Sequence, residues 1–251
     1  MESLTFEGSV AIDLELKKQA RSVILNSLEL DISRVRLDDE AESEGTVEVD
    51  QGKQTATITF PHEIKPGKHR LTLTISGKIG PQPQGLYYVK YQSASGEKTM
   101  LATQMEPTDA RRMFPCWDEP VYRASFEITV VVRQKMLAVS NMPIEHEEDL
   151  NDGLKEVRFA CTPKMSSYLV VLVIGELESI REECDGTELR IVTVKGKKEQ
   201  GRYALEVIKK LLAYYNNYFG IKYPLPKLDS IAIPGGFGGA MENWGGITYS
   251  E

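Results

Sequence analysis

The sequence predicts a mainly β fold, and three observations carry that expectation. Short runs of alternating apolar and polar residues fill the first three quarters of the 251 residues. Turn signals separate those runs at short intervals. Only one stretch carries a helical stripe, and it comes late in the chain. With 41% apolar and 27% charged residues, the composition is globular, and the length suits one large domain or two medium ones.

In chain order, Val10, Ile12, Leu14 and Leu16 alternate with Ala11, Asp13, Glu15 and Lys17, the pattern of a half-buried strand. Val23 to Ile32 reads as a second strand with less regular alternation. Val47 to Val49 and Thr55 to Phe60 flank Gln51-Gly52-Lys53 as a hairpin. Lys65-Pro66-Gly67-Lys68 is a further turn, followed by Leu71, Leu73 and Ile75 on one strand face. This spacing predicts an antiparallel sandwich or saddle. Gly80 to Gly85 is a proline-rich link, and Leu86 to Val89 the next strand. Met105 to Pro120 is irregular, because Pro107, Pro115 and Pro120 forbid a long helix. Phe126 to Val132 and Tyr168 to Ile174 are apolar enough for strands buried on both faces.

The β part is expected to end near Arg181 to Gly186, which places one domain at 1–187 and a second at 188–251. In Glu199 to Phe219, Leu205, Ile208, Leu212, Tyr215 and Phe219 recur at helical steps. Gly220 occupies the left-handed C-cap position, and Pro224 and Pro226 block continuation. Ser230 to Ile233 reads as a strand, Gly235, Gly236, Gly238 and Gly239 as a turn, and Ala240 to Tyr249 as one more strand. One helix and two strands are marginal as an independent core, and the chain stops on a strand at Glu251. The expectation is that it is cut short.

Charge excludes one class of function. Thirty Lys and Arg against 37 Asp and Glu leave −7, the wrong sign for a phosphate-binding surface. Much of the excess acid lies in Asp38–Glu44 and Glu145–Asp152, read as solvated loops or hairpin tips. No apolar run approaches the ~20 residues that span a bilayer. Met1-Glu2-Ser3 lacks the basic start of a signal peptide. Cys116, Cys161 and Cys184 form an odd set without metal-like spacing, which favours a reducing compartment and a cytoplasmic location. His62, His69 and His146 are the only histidines, so no histidine-rich metal site is expected within this chain.

Two stretches can carry chemistry. The segment Pro234 to Tyr249 packs four glycines into five residues, which lets a backbone approach a ligand closely. It lacks the Lys-Ser/Thr and the helix that a phosphate loop needs. That leaves an ordinary turn before a strand, or a peptide or small-molecule site beside a strand edge. On a continuous strand, Ala240, Glu242 and Trp244 share one face and Met241 and Asn243 the other. A carboxylate among so many apolar and glycine neighbours is expected to be partly desolvated and to seek a cation; a structural salt bridge is the plainer alternative. The second stretch runs from Thr103-Gln104-Met105-Glu106-Pro107 into Phe114-Pro115-Cys116-Trp117-Asp118-Glu119-Pro120. There Arg111 and Arg112 are near enough to pair with Glu106, Asp118 or Glu119, and a charged irregular loop explains the segment equally well.

Gly239-Ala240-Met241-Glu242-Asn243, read as GAMEN, resembles the exopeptidase motif of the M1 zinc aminopeptidases. Thr103 to Pro120 is similar to that family's N-terminal-domain signature, and Tyr223-Pro224-Leu225-Pro226-Lys227 belongs to the same pattern. The three stand in the family's order. The resemblance implies a saddle-like antiparallel N-terminal domain followed by the start of a thermolysin-like α+β catalytic domain. It implies that Glu242 grips the α-ammonium of a peptide substrate, that Glu106 assists, and that Gln104 lines the first side-chain pocket. The backbone of Gly238, Gly239, Ala240 and Met241 would take the peptide as an added strand, with Asn243 completing the motif.

The family's zinc site, an HExxH helix and a later glutamate, has no counterpart in these 251 residues. The resemblance therefore implies zinc in the parent enzyme, with no metal ligand and no catalytic residue in this chain, which alone is expected to be inactive. Two alternatives stay open: a catalytically silent peptide-binding or scaffold relative, and a leukotriene A4 hydrolase-type bifunctional enzyme. Ala240, where the hydrolase branch commonly has glycine, favours the plain aminopeptidases.

Overall fold

The computed structural model describes residues 4–38, 44–235 and 238–251. Met1-Glu2-Ser3, read above as lacking the start of a signal peptide, most of the first acidic run and Gly236 lie outside the described residues.

The first six strands are β1 (Thr5–Leu16), β2 (Ala20–Asn26), β3 (Leu30–Leu37), β4 (Thr46–Asp50), β5 (Thr55–Ile64) and β6 (Gly67–Lys78). They form two antiparallel sheets, ordered β1-β6-β3 and β2-β5-β4. Val23 and Leu25 of one sheet share a core with Val35, Leu71 and Leu73 of the other, so apolar alternation on each sheet fills a common interior. The stretch Val23 to Ile32, expected as one strand, is two. The chain turns at Ser27-Leu28-Glu29, with Glu29 at φ 57°, and the halves join opposite sheets. Its imperfect alternation was the trace of that break.

Asp38 and His69 fasten the end of β3 to the start of β6. His69 Nδ1 lies 2.7 Å from Asp38 Oδ2, its Nε2 lies 2.9 Å from the Lys65 carbonyl, and the Arg70 amide donates to Asp38 Oδ1. Acceptors on both ring nitrogens favour the imidazolium, and the Asp38 contact raises the His69 pKa.

Next come β7 (Gly85–Ser93), β8 (Gly96–Gln104), β9 (Arg123–Ala124), β10 (Thr129–Arg133), β11 (Leu137–Ser140), β12 (Ile144–Asp149), β13 (Leu154–Phe159), β14 (Met165–Ser166) and β15 (Leu172–Gly175). A four-stranded sheet runs β11-β15-β8-β7, a three-stranded one β10-β13-β12, and β14 pairs with β9. The second acidic run occupies β12, an outer strand exposed along its whole length, and the turn after it. Charge on an outer strand discourages pairing with other chains. Phe126 to Val132 is not buried on both faces: Val131 is exposed and Val132 buried, so the run covers one side of a small sheet.

The last sheet is mixed. β16 (Leu177–Cys184), β17 (Thr187–Val194), α1 (Arg202–Phe219), β18 (Lys227–Ile233), β19 (Ala240–Met241) and β20 (Gly246–Ser250) give the order β16-β17-β18-β20-β19. β17 pairs parallel to β18 across the α1 crossover, and β18 parallel to β20. The expected boundary at residue 187 falls at the turn of the β16–β17 hairpin, so β16 belongs to this sheet. One sheet face packs Val192, Val194, Ile231 and Ile233 against Tyr87, Met100, Val139 and Val173 of the four-stranded sheet. The other packs Leu189, Ile191 and Leu228 against Leu205 and Leu212 of α1.

α1 ends as expected, with Gly220 left-handed at φ 65°. Its stripe is only half used. Tyr215 and Phe219 are exposed, and with Ile208, Ile221, Ile247 and Tyr249 they line an open groove of about 610 Å³. Among the described residues no helix is long and apolar enough to cross a membrane.

The His69–Asp38 contact predicts a pH dependence of stability. A raised histidine contributes stability in full below its unfolded value of about 6.5, and loses it as pH rises through the folded value. Urea unfolding of the wild type and His69→Gln from pH 5 to 9 should show the largest wild-type advantage near pH 5–6, shrinking toward pH 9. A constant advantage across that range would mean the contact carries no charge.

Candidate substrate-binding site

Gln104 ends β8, and Glu106 follows after Met105. The loop beyond is irregular yet tightly held, around Asp118. Arg111 donates its amide and Nε to Asp118 Oδ2 at 3.2 and 3.1 Å, and Ser167 Oγ donates to Oδ1 at 2.6 Å. The Asp118 amide donates to Asn26 Oδ1 at the end of β2. Arg112 pairs with Asp109 and Glu29. Of the pairings open to the two arginines, the fold selects Asp118 for Arg111 and neither Glu106 nor Glu119. Asp118 is thus a structural hub, and Glu106 is left exposed without an ion pair to any described residue.

The glycine-rich turn leads into β19, the outermost strand of its sheet, where Ala240 faces Tyr249 and Met241 faces Thr248 of β20. The amides of Gly238 and Gly239 donate to Ser250 Oγ at 3.2 and 3.0 Å. Space beside both Cα atoms is open. The strand expected over Ala240 to Tyr249 is interrupted: residues 242–245 form a turn, and β20 begins only at Gly246. Alternation nonetheless persists, with Met241 and Asn243 buried and Ala240, Glu242 and Trp244 exposed. Glu242 is exposed, not partly desolvated, and has no cation among the described residues. Asn243 Nδ2 reaches the Gly246 carbonyl at 3.4 Å.

Met105 and Met241, each 1% exposed, belong to one core cluster with Ala110, Met165, Leu169 and Val170. The immediate neighbours of both glutamates are therefore anchored in the same apolar patch, while the glutamates themselves face solvent. Gln104 is half-buried, and its Oε1 is buried without a hydrogen-bond partner among the described residues.

Sequence reasoning missed the groups that hold the turn. Lys227 is buried, and its Nζ donates to the Ser140 carbonyl at 2.8 Å, Asp229 Oδ2 at 2.7 Å and the Gly245 carbonyl at 2.6 Å. Arg190 closes a two-pronged pair on Asp229 at 2.6 and 2.5 Å. Burial pushes the Lys227 ammonium down to about 8. Asn141 Nδ2 donates to the carbonyls of Leu169 and Trp244, both at 2.7 Å. Tyr223, pushed up to about 12 by burial, stays a neutral phenol, and its oxygen accepts the Gly245 amide at 3.1 Å. The sequence offered two signals: Tyr223 and Lys227 bound the Tyr223–Lys227 stretch named above, though with no role attached, and Lys227 and Asp229 lie two apart on a strand, hence on one face. Asn141 offered none.

Gly245 sits at φ 74°, and a Cβ there would lie 1.9 Å from the Asn141 carbonyl oxygen. Gly245→Ala should therefore destabilise the chain by at least about 2 kcal/mol, from the left-handed backbone and the collision together. Denaturant unfolding checks this; a loss below 0.5 kcal/mol, about the size of a neutral surface change, would mean the turn relaxes freely.

Zinc needs three or four converging His, Cys or carboxylate donors. No group of three or more converges among the described residues, and His62, His69 and His146 lie on β5, β6 and β12. The described residues do not fit the metal.

Comparison with known proteins gives the arrangement a family. The Peptidase M1 N-terminal domain model matches residues 1–169, and the Peptidase family M1 domain model matches 203–251. Aminopeptidase N of Acetobacter pasteurianus is 43% identical over 253 residues, covering 100% of this chain and 71% of that protein. Puromycin-sensitive aminopeptidase of Caenorhabditis elegans is 40% identical over 261 residues, and aminopeptidase M1-B of Oryza sativa subsp. japonica 39% over 254. Both cover the whole chain, which spans 27% and 29% of their lengths. Two family models in tandem and similarity over the whole of this chain to three aminopeptidases agree with the motif order: the chain belongs to peptidase family M1.

Proposed function

We propose that this chain is the substrate-recognition part of a zinc metallo-aminopeptidase that removes N-terminal residues from peptides. Glu242 and Glu106 grip the α-ammonium of the substrate. The observation that carries this reading is the shared anchorage of Met105 and Met241, which sets two solvent-facing carboxylates on segments rooted in one apolar patch. Neither carboxylate has a cation among the described residues, so an incoming ammonium has no internal ion pair to displace.

The rest of the peptide docks along β19. An outermost strand offers main-chain groups for one more strand, and Ala240 and Met241 supply them. Gly238 and Gly239, whose amides are turned to Ser250, leave open space above the turn for the substrate backbone. Asn243 shapes the turn beneath Glu242. The unpartnered Oε1 of Gln104 suits the wall of the first side-chain pocket. Zinc is held by ligands that are not among these 251 residues, and the chain by itself binds peptides without hydrolysing them. Three free thiols, with Cys161 exposed, fit a reducing compartment and a cytoplasmic location.

A peptide with a free N-terminus and its N-acetylated twin, titrated against this chain by the fluorescence of Trp244 beside Glu242, test the proposal. A charge-assisted contact is worth about 1.5–3 kcal/mol, so acetylation should weaken binding about 10- to 100-fold. Glu242→Gln and Glu106→Gln should each weaken the free peptide about 10-fold and leave the acetylated one unchanged. Equal binding of the two peptides to the wild type would overturn the reading.

A further inference from the structure

We infer that Asn141, Tyr223 and Lys227 are positioning residues, which hold the Glu242–Gly245 turn where Glu242 meets a substrate ammonium. The inference rests on the ammonium-gripping role of Glu242 proposed above. It concerns residues that touch no substrate themselves.

A turn that interrupts a strand loses its ladder partners, and its backbone groups need others. Within the turn itself, the Gly246 amide donates to the Asn243 carbonyl. The remaining partners come from outside. The Trp244 carbonyl accepts from Asn141 Nδ2 at 2.7 Å, and the Gly245 amide donates to the Tyr223 phenol at 3.1 Å. The Gly245 carbonyl accepts from Lys227 Nζ at 2.6 Å and from the Asp229 amide at 3.0 Å. Two consecutive peptide units are thus held by three side chains from two separate segments. The close approach of Gly245 to the Asn141 carbonyl prevents the turn from sliding along that contact.

Asn141 also reaches the other glutamate's surroundings. Its Nδ2 is shared with the Leu169 carbonyl at 2.7 Å, and its Oδ1 accepts the Val171 amide at 3.0 Å. Leu169 and Val170 pack in the cluster that holds Met105 and Met241. One buried amide side chain therefore ties the turn bearing Glu242 to the segment packed beneath Glu106. Lys227 adds the Ser140 carbonyl, one residue earlier, to the same joint. A ligand gripped by two carboxylates is sensitive to their separation, so the joint sets amine recognition, whereas general peptide affinity along β19 does not depend on it.

The test is the ratio of dissociation constants, N-acetylated over free-amine, for a peptide of the same sequence. It is measured on the full chain as wild type, Asn141→Asp, Tyr223→Phe and Glu242→Gln, with thermal unfolding of each. Asn141→Asp keeps the shape and the Val171 contact but removes both donors; Tyr223→Phe removes one oxygen. The ratio should fall about 10-fold for Asn141→Asp and about 3-fold for Tyr223→Phe, with affinity for the acetylated peptide unchanged. Folded variants that keep the wild-type ratio while Glu242→Gln abolishes it would overturn the inference and leave the role of Glu242 standing. A ratio unmoved by Glu242→Gln would instead remove that role and the inference with it. Should Asn141→Asp fail to fold, Tyr223→Phe decides.

Discussion

Taking an ammonium out of water costs several kcal/mol unless its protons find acceptors. Lys227 meets that demand with oxygens from three places: the end of β11, the strand it sits on, and the turn before β20. None of these can move away without leaving a proton of the buried ammonium without an acceptor. Asp229, fully buried, is bound in turn to Arg190 on β17. The four-stranded sheet and the mixed sheet are thereby joined at one polar point within a mostly apolar interface. Apolar contact alone would permit sliding between the sheets; a buried charge with directional partners permits one arrangement.

The chain thus divides its charges by task. Asp118, Lys227 and Asp229 are buried, with Arg111 and Arg190 partly buried beside them, and through Ser167, Ser140 and Arg190 these groups join segments distant in sequence. Most other ion pairs lie on the surface, where such pairs contribute little. Glu106 and Glu242 belong to neither group, being exposed carboxylates beside buried methionines. A carboxylate kept in water close to an apolar anchor is cheap to maintain and is held in place through its backbone, which suits a group meant to meet a charged visitor.

Much of this was legible in the sequence. Period-two alternation located β1, the β4–β5 hairpin and β6, and Gly220 with its following prolines ended α1 where the structure ends it. Local signals of that kind depend on neighbours a few residues away. The break at Ser27-Leu28-Glu29 left only an imperfect alternation as its trace, and the turn at 242–245 left none, because each is imposed by where the flanking residues pack. The GAMEN residues were found by resemblance, yet the exposure of Glu242 was misjudged, since Met241 and Asn243 beside it are buried while Ala240, Glu242 and Trp244 stay exposed. Asn141 was invisible altogether. A lone asparagine after a strand carries no pattern, and its partners at 169, 171 and 244 come together only in the folded chain.

The contact between Asn141 and Trp244 spans 103 positions of sequence. On a ribosome, where the chain emerges from its N-terminus at roughly 5–20 residues per second, such a contact waits several seconds after its first half appears. The β1–β6 sandwich closes most of its core with residues up to 78 and is free to fold early. The recognition turn is assembled last, after β18 and β20 have arrived to supply Lys227 and Gly245. If Glu242 grips a peptide's end as proposed, a nascent chain stalled before that point presents a folded front without that grip, and a recognition-competent surface marks completed synthesis of this region.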